Sequence, residues 1–85
     1  MNKIFILSIV DLDNVGYQTK DVELFPNKET ATERMRELYL EDCKHWGIKD
    51  PYDKDTLLYG FGDNYAYIFG ESYYDIFEKE IGVVA

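Results

Sequence analysis

Apolar residues occupy both parities of Ile4-Phe5-Ile6-Leu7-Ser8-Ile9-Val10, with Ser8 the single interruption. Such a run, β-branched and aromatic, predicts a buried strand. Asp11-Leu12-Asp13-Asn14-Val15-Gly16 follows with turn chemistry, because Asp and Asn tolerate left-handed backbone and Gly16 admits positive φ. From Tyr17 to Phe25 the pattern alternates, Val22 and Leu24 against Asp21 and Glu23. The two segments read as a β-hairpin.

After Phe25-Pro26 the period changes. Asn27 is placed to cap a helix, and Glu29 sits in its first turn, where the helix dipole favours an anion. Ala31, Met35, Leu38, Tyr39, Cys43 and Trp46 recur at the 3.6-residue spacing of one apolar stripe. The helix is predicted to reach His45 or Trp46 and to stop at Gly47 in a C′ role. At ~1.5 Å per residue it is about 30 Å long, enough to cover one face of a small sheet. Its other face holds Glu33, Arg34, Arg36, Glu37, Glu41 and Lys44. Glu33–Glu37 and Glu37–Glu41 are like-charge pairs four apart, and Arg34 and Arg36 lie close enough to offset them.

Ile48 to Thr56 is a polar connection around Asp50-Pro51-Tyr52. Leu57-Leu58-Tyr59 reads as a short strand, Gly60 to Asn64 as a turn, Tyr65 to Phe69 as a strand, Gly70-Glu71-Ser72 as a turn and Tyr73 to Ile81 as the last strand. Ala66 and Ile68 share one face of their strand and Tyr65, Tyr67 and Phe69 the other. The small residue Ala66 permits close approach, so the Ala66/Ile68 face is expected beneath the helix. The expected fold is a single α+β domain over residues 1–85: a ββαββ order, a mainly antiparallel sheet, and one long amphipathic helix across one face. Its expected core includes Ile4, Ile6, Met35, Leu38, Trp46, Ala66 and Ile68. One helix covers one face only, yet the first strand is apolar on both faces, as is the Tyr65–Phe69 strand. The loop over 48–62 or a second chain must cover the remainder, so a homodimer is expected.

Charge changes this picture. Seventeen acidic residues against nine basic ones give a net charge of -8, in a chain that is 46% hydrophobic. That apolar content supports a packed core, so the negative charge belongs to a folded surface. Such a surface repels nucleic acid and anionic membrane and attracts basic partners. One cysteine, Cys43, leaves no internal disulfide and suits a reducing cytoplasm. The apolar run from Ile4 runs into Asp11 without a small-residue cleavage site, so no signal peptide is expected. No apolar run approaches the ~18–20 residues of a membrane span.

Few motifs carry chemistry. Asp11 to Gly16 starts like a calcium loop, but Val15 and Val22 stand where that loop needs ligands. Asp50, Asp53 and Asp55 make an acidic cluster on an open loop, better read as solvated. Cys43 and His45, two apart on a helix, point in different directions and cannot share a metal. Gly60-Phe61-Gly62 is too short for a phosphate loop and no helix follows it. No cofactor and no catalytic residue is expected.

The aromatic residues carry more. Of fourteen, nine lie between Tyr52 and Phe77. Residues 48–85 hold three lysines and no arginine against eight acids, so these rings lack the cations that hold a nucleic-acid backbone. Rimmed by carboxylates, they suit a protein–protein contact. The expected partner-facing strip is Asp50, Tyr52, Asp53, Asp55, Asp63, Glu71, Tyr73, Tyr74, Asp75, Glu78 and Glu80, with Tyr52, Tyr73 and Tyr74 as anchors.

In size, charge and plain architecture the whole chain resembles small acidic proteins of phages and mobile elements, among them some anti-CRISPR and other anti-defence inhibitors. The resemblance rests on no residue motif and transfers no functional residue. The expected function is a non-enzymatic acidic binding protein that presents carboxylates and tyrosines to a basic, nucleic-acid-binding groove of a partner protein. Spaced carboxylates imitate phosphates and compete for Lys and Arg. The alternative is a self-associating structural or housekeeping module whose acidity serves only solubility.

Overall fold

In a computed structural model, which describes residues 2–12 and 18–81, the long apolar run becomes a strand inside the sheet, hydrogen-bonded on both sides. This strand, β1 (Asn2–Leu12), pairs with β2 (Gln18–Phe25) along one edge. On its other edge it pairs with β5 (Ser72–Ile81). The meander is completed by β3 (Tyr59–Phe61) and β4 (Tyr65–Ile68). The sheet order is β2-β1-β5-β4-β3, antiparallel throughout. The chain order is therefore ββαβββ. The α+β class and the single long helix agree with the sequence reading. The expected ββαββ order counts one strand fewer than the structure, in which β3 starts two residues later than the Leu57–Tyr59 segment read as a short strand. The expected turn and the calcium-like pattern span Asp11 to Gly16; Asp11 and Leu12 instead continue β1, paired with β2, and 13–16 lie outside the described residues.

The helix α1 (Lys28–His45) is bounded as its sequence demands. The Asn27 side chain accepts a hydrogen bond from the Thr30 amide at 2.9 Å, satisfying one of the helix's orphan donors. At the far end Gly47 is left-handed, with φ 71. The Ile48 amide reaches back to the Cys43 carbonyl and the Gly47 amide to that of Lys44, the paired bonds of a Schellman motif. Ile48 then packs against the core, which ties the helix end to the sheet.

The core lies between α1 and one face of the sheet. Leu7, Ile9, Ala31, Met35, Tyr39, Cys43, Ala66, Ile68, Tyr74 and Ile76 are buried there. Met35, Ala66 and Ile68 are as expected, and Ala66/Ile68 is the covered face of β4. Four expected core positions are not. Ile4 and Ile6 are half-buried on the opposite face, because β1 presents its odd-numbered residues to the helix. Leu38 is half-buried at the flank of the stripe, and Trp46, at the C-cap, is exposed. The 3.6 period does not divide the stripe evenly, and its last member has turned away from the sheet by the time the helix ends.

Candidate partner-binding surfaces

β3 and β4 border a surface concavity. Gly62, Asp63, Asn64 and Tyr65 turn the chain, closed by a Gly62 amide to Tyr65 carbonyl bond of 2.8 Å. Across the pair Gly60 faces Tyr67. A Cβ on Gly60 would stand 2.8 Å from the Tyr67 ring, and one on Gly62 would run into the ring of Tyr65. The two glycines are flat seats for two tyrosines. With nothing projecting beneath them, the rings lie over β3 and stack on each other, centroids 6.4 Å apart and 22° from parallel. Aromatic cover over strand glycines also protects a weak edge.

On the other side of β3, Phe61 takes a tilted contact with Tyr39, an edge contact with Tyr52 at 5.7 Å and the Arg36 guanidinium at 5.5 Å. Between these rings and the 52–56 segment opens a cleft of about 550 Å³. Tyr52, Tyr59, Phe61, Tyr65 and Tyr67 line it, together with Asp53, Asp63 and Lys54. Tyr59's phenol is pushed above its ordinary value by burial and by the nearby Asp53 and Asp50 carboxylates. Five aromatic rings and two carboxylates suit a cationic side chain, through cation–π attraction and charge pairing.

The expected strip is divided by the fold. Tyr52, Asp53 and Asp63 meet in the cleft. Asp50 and Asp53 hold the loop itself, accepting from the amides of Tyr52 and Asp55. Asp55 is exposed beside them. Glu71 sits in the β4–β5 turn, where its carbonyl accepts from the Leu12 amide. Tyr73 and Asp75 lie on the sheet face away from α1, and Tyr73's hydroxyl accepts from the Gly70 amide. Glu78 and Glu80 are exposed toward the end of β5, Glu78 paired with Lys3 at 3.2 Å. Tyr74 is not a surface anchor. Only 3% exposed, it lies beneath the helix with its hydroxyl donating to the Asp42 carboxylate.

Tyr59, Phe61, Tyr65 and Tyr67 were absent from the expected strip. A signal for them was present: two glycines spaced by two, a polar turn, then two tyrosines spaced by two. A second acidic feature is the row Glu29, Glu33, Glu37 and Glu41, all exposed at four-residue steps along α1. Each step is about 6 Å of helix axis. Arg34 pairs with Glu23 at 3.0 Å and with Glu37 at 3.2 Å. These charge-assisted bonds, chiefly the one to Glu23, raise its pKa further.

Cys43 is buried, and burial holds its thiol above the ordinary value, which disfavours the nucleophilic thiolate. Among the described residues no three of His, Cys, Asp and Glu converge as a ligand set. Among them, too, no helix is long and apolar enough to cross a membrane. No family model, no curated protein and no solved structure matches the chain.

Proposed function

We propose that this chain is a non-enzymatic binding protein that engages the basic, nucleic-acid-binding groove of a partner protein and so inhibits it, in the manner of a small anti-defence inhibitor. The carrying observation is the cleft at the edge of β3, where Asp53 and Asp63 stand among five aromatic rings. A partner's Arg or Lys would enter with its charge facing the carboxylates and its stem against the tyrosines. The glutamate row of α1 would extend the contact along the partner's cationic surface, as spaced phosphates do. A reducing compartment such as the cytoplasm suits the lone thiol.

The test is an NMR titration with an oligoarginine peptide, with duplex DNA as the control. The expected result is that the peptide shifts the amides around Asp53, Asp63 and Tyr65, with affinity falling as salt rises. DNA leaves the spectrum unchanged. Asp53→Lys/Asp63→Lys abolishes those shifts while circular dichroism shows the double variant folded, with a lowered melting temperature because Asp53 no longer accepts from the Asp55 amide. No peptide binding at low salt, or binding indifferent to the double reversal, overturns the reading.

A further inference from the structure

The sheet face away from α1 is apolar and nearly free of acid. Leu24, Ile6 and Phe77 form one row across β2, β1 and β5, and Val10, Tyr73 and Tyr67 form another across β1, β5 and β4. Leu24 is 60% exposed and Phe77 55%. Among the described side chains the charges on this face are Lys20, Lys79 and Asp75. Two lysines against one aspartate leave it at +1, in a chain whose total is -8.

We propose that a second copy of the chain covers this face, as a two-fold sandwich of sheet on sheet. The charge distribution selects that occupant. A basic protein finds no acidic complement on this face, and the acidic rim opposes an anionic membrane. A second copy, repelled by the glutamate row of α1, meets no such repulsion here.

The residue pattern is also self-complementary. Asp75 and Lys79 lie two positions either side of Phe77 on the same face of β5. A two-fold axis lying between the sheets, perpendicular to the strands and crossing at Phe77, runs the two β5 strands antiparallel. Phe77 then meets Phe77 of the second copy. Asp75 comes opposite Lys79 of the second copy, and the reverse pair forms by symmetry. Each charge is about 7 Å along the strand from the axis. Sheets packed about 10 Å apart, within about 30° of alignment, leave a lysine stem able to reach its carboxylate.

The test is sedimentation equilibrium of the full chain, alone. A dimer is expected. Asp75→Lys and Lys79→Asp are each expected to raise its dissociation constant about tenfold, and the double exchange to restore it within about threefold. All three variants alter exposed side chains, and circular dichroism is expected to show them folded. Phe77→Lys, also exposed, is expected to give a folded monomer. A wild-type monomer at several hundred micromolar overturns the proposal. So does a dimer indifferent to Phe77→Lys and to both single reversals. A monomer that pellets with phosphatidylcholine vesicles assigns the face to lipid and overturns it as well. None of these readouts involves a basic partner, so their failure leaves the reading of the β3 cleft standing.

Discussion

Leu7 is wholly buried beneath α1, whereas Ile6 points to the far side of the sheet. Strand geometry alone makes the difference, since adjacent side chains leave opposite faces. Leu7→Ala removes methyl groups from a closed site and is expected to cost about 2–5 kcal/mol in urea unfolding. Leu57→Ala, in the exposed loop before β3, is expected to cost under about half a kcal/mol. Tyr74 gives a second residue-scale expectation. Burial, then its bond to Asp42, raises its phenol well above the ordinary 10.0. Tyr39 is raised likewise, by burial first and then by Cys43. With Cys43 and Tyr59 raised as well, the folded chain keeps protons that the unfolded chain releases in alkali. These contributions are fully present below the unfolded values and are lost as the pH rises through the folded ones. The urea midpoint is expected to hold up to about pH 8 and to fall above it, with Tyr74→Phe making the fall shallower.

At the scale of elements, α1 was the most legible. Its cap and its Gly47 stop are local chemistry and are where the sequence puts them, and its stripe is buried at Ala31, Met35, Tyr39 and Cys43 but not at Leu38 and Trp46. Asn27→Ala strands the Thr30 amide and is expected to cost about 1 kcal/mol in thermal unfolding at neutral pH. β3 was the least legible element. Its three residues, Tyr59-Gly60-Phe61, centre on a glycine of poor strand propensity, and it becomes a strand because β4 supplies both its hydrogen bonds and the Tyr67 ring that covers Gly60. The same pairing builds the cleft, so only Tyr52, Asp53 and Asp63 of that site were foreseen.

Over the whole molecule, charge and apolar surface are segregated. The glutamate row of α1 and the cleft aspartates face outward on the helix side or the β3 edge, while among the described residues the far sheet face carries a single acid. This arrangement sets the cleft carboxylates apart from the sheet face, with Tyr67 on the border of both. A homodimer through the sheet leaves both helices on the outside, where their carboxylates remain free for a basic partner. The dimer's own charge pairs number two per interface, so its salt response is expected to be shallow. Oligoarginine binding at the cleft is expected to weaken steeply with salt, because attraction there is between net opposite charges.

Hydrophobic period and turn chemistry determined the class, the helix and its caps, the approximate strands and the need for something to cover a second apolar face. These properties depend on neighbours in sequence. Tertiary structure decided which parity of β1 faces the helix, because an apolar run on both faces contains no phase. It also decided that Tyr74 is core and Tyr73 is not, since consecutive strand residues differ only by the side on which the helix docks. Finally, it placed Asp53 and Asp63, ten residues apart, around the same rings, and left Glu78 and Asp75 on opposite faces of one strand. Composition counts carboxylates, but only packing determines which of them share a surface.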